Sequence, residues 1–274
     1  MGKLQVCYSM LVSGAWRFIF FGGLLLHHEP LSANRQKPLQ YQALMQVPVL
    51  CYHNIKPAMT GHQPGYTISI KRFEEQMQWL WANGYHTITP GQLYAHYTNG
   101  MALPRQPIII SFDDAHEEDF SIVAPLLDQK NMKAVFFIMT VVIGKKGYLT
   151  ARQINALAGK GHIIGLHTWN HPDLRKLKDN EWALQLDTAA ATLRSITGTN
   201  PSTFAYPFGA WNEACIQQLQ KRGIQTAFQL EGRGSTAYPM YTLRRLLVNG
   251  NWSGPALEKR IQSLMAPSTK HRTE

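Results

Sequence analysis

The segment Pro107-Ile-Ile-Ile-Ser-Phe-Asp-Asp114, within "PIIISFDDAHEEDF" (107–120), decides how the chain is read. An unbroken apolar run rich in β-branched residues fits a strand buried on both faces. Such strands belong to parallel sheets covered by helices, where reactive side chains collect at the strands' carboxyl ends. Asp113 and Asp114 stand at such an end. A plainer role for Asp114 is as the cap of a helix starting near Glu117.

Further apolar, β-prone runs lie on either side: "VPVLCYH" (47–53), "YHTIT" (85–89), "AVFFIM" (134–139), "HIIGLH" (162–167), "TFAYPF" (203–208), "IQTAFQL" (224–230) and "YTLRRLLV" (241–248). Helical patterns fill most of the gaps. Ser69 can cap "IKRFEEQMQWLWANG", in which Phe73, Met77 and Leu80 or Trp81 share a face and Gly84 ends the helix. Asp179 precedes "NEWALQLDTAAATLRSITG", ended by Gly198. This alternation predicts an α/β fold, a distorted (β/α) barrel of seven or eight parallel strands rather than a flat doubly wound sheet.

A second polar cluster follows the strand that ends "HIIGLHTWNHPDL": His167 closes it and His171 comes four residues later, just before Pro172. A single histidine in such a setting is most simply a hydrogen-bonded core residue. Two, at the sheet edge that also carries paired carboxylates, form the imidazole and carboxylate mixture that zinc and related ions accept in sites with an open position. A third segment, "FAYPFGAWN" (204–212), turns at Pro207 and Gly209 and presents Tyr206, Phe208 and Trp211 as flat surfaces suited to sugar rings. By itself it reads equally as a loop closing the barrel end.

Composition narrows the classes. The net charge of +10 is carried by scattered Lys and Arg without a basic stripe, which gives nucleic-acid binding little support. The three cysteines, Cys7, Cys51 and Cys215, have no paired spacing, so neither a disulfide framework nor a cysteine zinc site is expected. A serine-nucleophile elbow and a glycine-rich phosphate loop are both absent from the sequence. At the amino terminus, Lys3 and Arg17 precede the apolar run Phe18–Leu26, with small residues at Ser32 and Ala33. The pattern predicts a signal peptide or membrane anchor over 1–33, a polar linker over 34–46, and a domain exported to the periplasm, cell envelope or medium.

"SFDD", "HTWNHPDL" and "AYPFG", in this order and at these separations, resemble the successive motifs of the polysaccharide deacetylase family, the NodB-homology domains of carbohydrate esterase family 4. "VPVLCYHNI" and "YTLRRLLVNGNWS" are more similar to the branch containing poly-β-1,6-N-acetylglucosamine deacetylases. The resemblance spans 47–265, leaving 266–274 as a tail. It implies a divalent metal, zinc first, held by Asp114, His167 and His171, with Asp113 as general base and the Phe208 amide helping to hold the oxyanion. It also implies an N-acetylglucosamine polysaccharide as substrate, with release of acetate; a monomer is expected.

Two departures stand out. The family's usual Arg in the third motif is Ala205 here, with Arg245 as a candidate substitute, and the late Leu-x-His motif that supplies the general acid is missing from "LLVNGNW". His53, closing the first strand on the same edge as Asp113, is the candidate acid, its alternative being a hydrogen bond to loop backbone. Two other readings stay open: a non-catalytic glycan-binding protein that retains the metal site, and a metal-dependent deacetylase of another small acylated substrate.

Overall fold

Each predicted apolar run contains strand, and the helices fall between them. The computed structural model describes residues 47–57, 63–230 and 232–265; the signal or anchor, the linker and the tail lie outside these. The first half comprises β1 (Val49–Tyr52), β2 (Asn54–Lys56), β3 (Thr67–Ser69), α1 (Ile70–Ala82), β4 (His86–Thr87), α2 (Pro90–Asn99), β5 (Pro107–Asp113), α3 (Ala124–Asp128) and β6 (Val135–Ile138). The second half comprises α4 (Ala151–Gly159), β7 (Ile163–Leu166), α5 (Ala189–Thr197), β8 (Thr203–Ala205), α6 (Glu213–Gln220), β9 (Thr226–Phe228), β10 (Leu246–Leu247) and α7 (Gly254–Met265).

The main sheet is parallel, in the order β10-β1-β5-β6-β7-β8-β9, with β4 added beside the start of β5. One segment meets both ends of this path. Leu243 exchanges backbone bonds with the end of β9, donating to Ala227 O at 3.0 Å and accepting from Gln229 N at 2.9 Å. Three residues later the same segment pairs with Leu50 and Cys51 of β1. The expected strand at 241–248 is thus two short contacts on either side of Arg245, and they make the sheet a distorted barrel.

The period of two along each strand separates the layers. Leu50, Tyr52, Ile108, Ile110, Phe112, Phe136, Ile138 and Phe204 form one apolar face under the helices, while Val49, Ile109, Val135, Phe137, Ala205 and Phe228 fill the other. In β5 the inner column climbs from Ile109 through Ser111 to Asp113, so it turns polar towards the carboxyl edge. Register sets Cys51 level with Ser111 and Asp113 level with Phe137.

Helix α1 starts as predicted, with Ser69 Oγ accepting from Arg72 N at 3.2 Å, and it buries Phe73, Met77 and Leu80; Trp81 is exposed. The second predicted helix is less regular. It opens with a single 3-10 turn over Asp179–Glu181, capped by the Glu181 carboxylate on Lys178 N at 2.7 Å rather than by Asp179, then passes through a π turn into α5. Gly198, at φ 76°, terminates it as expected.

A π turn over Asp119–Val123 leads into α3 and buries Asp119, neither of whose carboxylate oxygens has a hydrogen-bond partner among the described residues. Burial, then Glu118, Asp114 and Asp113, raise this carboxyl well above the ordinary carboxylate range. Below the unfolded-state value of about 3.9 the group is neutral in both states; above it only the unfolded chain ionises freely, so its contribution to stability falls as pH rises. Asp119→Asn should therefore raise the Tm at neutral pH, with the gain shrinking towards pH ~3. Thermal melts over that range check this; a gain independent of pH would mean that the carboxyl is not held neutral.

Candidate active site

Asp113 ends β5 on the inner face, and its carboxylate is 2% exposed at the residue level. A buried charge needs a partner. Arg245, equally buried, supplies it in a fork: Nη1 donates to Oδ1 at 2.6 Å and Nη2 to Oδ2 at 2.7 Å. The guanidinium is held in turn, Nε donating to Gln229 O at 3.2 Å and Nη1 to Ser111 Oγ at 3.3 Å, and its Cζ lies 5.4 Å from the Phe137 ring centroid. Burial works against the charge on Asp113, but the Arg245 guanidinium, through its charge and its two hydrogen bonds, outweighs it and holds the carboxyl well below the usual range.

Asp114, next in the chain, turns its side chain elsewhere. Its Oδ1 lies 3.6 Å from His167 Nε2 and 3.8 Å from His171 Nε2. It does not cap a helix, since the following π turn starts at Asp119 with no side-chain cap. One ligand atom from each of Asp114, His167 and His171 lies within 4.8 Å of the others. His167 Nδ1 is 2.8 Å from Ala205 O, an acceptor, so it carries the proton and Nε2 presents its lone pair. That Nε2 is buried without a hydrogen-bond partner among the described residues, an orphaned lone pair aimed into a carboxylate and imidazole cluster. Burial lowers both imidazoles, His167 to about 4, so they are neutral near pH 7, the form that binds metal. Burial and the charge of Asp113 push Asp114 up, so a cation there would be stabilised. The three residues fit a divalent ion of the zinc type.

The backbone that aims these groups is unusual. Asp114, Ala115, Thr168, His171 and Phe208 are five of the seven non-glycine residues at positive φ among the described residues, and such conformations persist where surrounding contacts enforce them. For the histidine loop those contacts are visible: Thr168 Oγ1 accepts from His171 N at 2.9 Å, and Gln185 Oε1 accepts from Trp169 N at 3.2 Å while its Nε2 donates to Asn170 Oδ1 at 2.8 Å. Gln185 and Ser111 are supporting residues that the sequence reading did not single out.

The third segment needs one correction. Tyr206 is fully buried and packs edge-on against Phe204, with ring centroids 5.2 Å apart, so it is a core residue with no face for a sugar. The sheet period explains this, because Tyr206 follows Phe204 to the helix-covered side. Phe208, at φ 61° and 66% exposed, sets its ring edge-on to His171 at 4.5 Å. Trp211 is half-buried and donates from Nε1 to Gln229 Oε1 at 3.0 Å. Gly209, at φ 67°, brings the turn so close that a Cβ would lie 2.6 Å from Leu230 N.

His53 follows β1 beside the same centre: Nε2 is 3.9 Å from Asp113 Oδ2, and the ring faces Tyr66 at 5.4 Å. Between them lies Cys51, its Sγ 3.7 Å from Asp113 Oδ2 and 3.8 Å from His53 Nδ1. The structure therefore brings Asp113, Asp114, His53, His167, His171 and Phe208 to one edge, and excludes Tyr206.

Comparison with known proteins follows the same line. The sequence model of the polysaccharide deacetylase family matches residues 100–227. YxkH of Bacillus subtilis, provisionally named as a polysaccharide deacetylase, is 29% identical over 220 residues, covering 80% of this chain and 77% of that protein. The poly-β-1,6-N-acetyl-D-glucosamine N-deacetylase of Escherichia coli K12 is 22% identical over 265 residues, covering 81% of this chain but only 39% of that larger protein. In fold, the chain is similar to the Streptococcus pyogenes deacetylase PplD, solved in complex with acetate, with a TM-score of 0.73 at 23% identity over 81% of this chain and 99% of that one. A similar likeness holds to IcaB from Ammonifex degensii, with a TM-score of 0.66 at 24% identity over 79% and 97%. The chain carries a polysaccharide deacetylase domain of the NodB-homology type.

Proposed function

We propose that this protein removes N-acetyl groups from an N-acetylglucosamine-containing polysaccharide, releasing acetate, with a divalent ion, zinc first, at Asp114, His167 and His171. The family match supports polysaccharide deacetylase activity. A relative named as a poly-β-1,6-N-acetyl-D-glucosamine N-deacetylase supports the glycan class. The observation that carries the reading is the orphaned His167 Nε2 facing Asp114, with the clamped Asp113 alongside. The sequence supports the placement: residues 1–33 as signal or anchor, 34–46 as linker, 47–265 as the exported catalytic domain and 266–274 as tail, acting as a monomer. Among the described residues no helix is long and apolar enough to cross a membrane.

A divalent ion held there would supply a Lewis acid and acidify a water molecule. Asp113 is assigned the proton of that water as its oxygen attacks the acetamide carbonyl. Arg245 keeps Asp113 ionised and fixes both its oxygens, taking the place of the family's third-motif Arg, which is Ala205 here. The Phe208 amide is assigned the developing oxyanion. His53 gives a proton to the nitrogen as the C–N bond breaks, leaving acetate and a free amine. Phe208 and Trp211 are the sugar-facing surfaces that remain after Tyr206 is removed from that role. The non-catalytic reading loses ground, because a purely structural ion site does not need a clamped carboxylate that is not itself a ligand.

His167→Ala and His171→Ala should abolish retention of a stoichiometric ion and acetate release together. Asp113→Asn should keep the ion and lower turnover by roughly 10²- to 10⁴-fold. Metal analysis beside acetate release from a panel of N-acetylglucosamine polymers tests both, and full activity of chelator-stripped protein would refute the assignment.

His53→Ala should lower turnover of an N-acetyl polymer by roughly 10²- to 10⁴-fold, with much less effect on an activated acetyl ester whose leaving group needs no proton. Equal losses on amide and ester would make His53 a positioning residue.

A further inference from the structure

Among the described residues the groups at the barrel mouth form two clusters of ligands, and the second joins Asp113 and His53 to Cys51, which has none of the roles above. Cys51, His53 and Asp113 each offer one ligand atom, all within 4.8 Å of one another. Cys51 Sγ lies 3.7 Å from Asp113 Oδ2 and 3.8 Å from His53 Nδ1, and His53 Nε2 lies 3.9 Å from Asp113 Oδ2. A tetrahedral zinc with bonds of about 2.3 Å to sulfur and 2.0 Å to nitrogen or oxygen sets its ligand atoms about 3.3–3.6 Å apart. One ion takes a single His53 nitrogen, so the Sγ to Oδ2 edge and one of the two His53 distances need to contract by a few tenths of an ångström, while the remaining edge lies within 4.8 Å. The Asp114 cluster is bounded by the same 4.8 Å.

We propose that Cys51, His53 and Asp113 form a second cation site, selective for soft ions such as Zn2+, Co2+ or Cd2+, whose occupation shuts the enzyme down. The register of the sheet creates it: Val49 and Cys51 alternate onto the inner face of β1, His53 follows the strand two residues on, and β1 pairs with β5, which ends at Asp113. Selectivity follows from the donors. Thiolate and imidazole suit zinc-like metals, whereas Mg2+ and Ca2+ require oxygen shells that this cluster lacks. The Arg245 guanidinium, whose Nη2 already donates to the same Asp113 Oδ2 at 2.7 Å, opposes a second cation. Only a cation that also converts Cys51 from thiol to thiolate, releasing one proton to solvent, gains enough negative charge around it to bind. His53, with a side chain 18% exposed, gives the way in.

The consequence for turnover rests on the proposed function. An ion here occupies both the carboxylate assigned as base and the imidazole assigned as acid. Excess zinc should therefore inhibit after the first ion has activated, and the inhibition should require Cys51.

The test uses the full-length chain titrated with Co2+ after chelator treatment. Wild type should bind two ions per chain. The second should bring in a near-ultraviolet thiolate-to-cobalt charge-transfer band, which Mg2+ neither produces nor displaces. Cys51→Ala should bind one ion, lose the band and escape inhibition by excess zinc. His167→Ala should lose the Asp114 ion yet keep the band. One ion per chain in wild type at every concentration overturns the proposal, as does a band that survives in Cys51→Ala. Ion counts and the band need no turnover, so they remain decisive even if no acetate is released from any polymer.

Discussion

The forked ion pair between Arg245 and Asp113 is the contact on which the site depends. Both groups are almost wholly buried, and bringing such charges out of water costs several kcal/mol per ion before their attraction offsets it. Removing one partner alone therefore costs about 3–5 kcal/mol, because the other is left charged and unpaired. The pair also joins distant parts of the chain. Arg245 sits in the segment that touches β9 through Leu243 and β1 through Leu246, so the residues that close the barrel also deliver the cation across its interior.

That clamp sets a chemical constraint. A carboxylate held far below its usual titration range is always ionised at neutral pH, which a base requires, yet it is correspondingly weak as a proton acceptor. Such a base serves only if its water is made more acidic, which is the task a divalent ion at Asp114, His167 and His171 would perform. Asp113 and Asp114 are neighbours with opposite environments: Arg245 favours the charge on one, while burial and the first carboxylate disfavour it on the other. On the proposed function, separating two adjacent acids in this way suits one to protons and the other to a cation.

Much of this was legible in the sequence, for reasons that can be named. Strands buried on both faces are continuous apolar runs, and Asp113, Asp114 and His167 lie at their ends, so the period of two and the strand boundaries located the edge. Arg245 was harder, because a pair formed across 132 residues leaves no local trace; only the missing cation at Ala205 pointed to it. The positive φ values of Thr168, His171 and Phe208 were hidden, since none is glycine and the enforcing contacts, such as Gln185 to Asn170, come from elsewhere in the chain. Tyr206 was misread although the signal was present: alternation from Phe204 carries it under the helices.

Ala205 links the departures from the family's motif. It lies on the inner face, fully buried, and its carbonyl holds His167 Nδ1. A long cationic side chain at that position would enter the interior from β8, where Phe137, Phe228 and the Arg245 guanidinium already stand. The interior is close-packed, so two arginines could not share it with one carboxylate without leaving a buried charge unmatched. Small at 205 and cationic at 245 are thus one solution to a single constraint, the neutralisation of Asp113.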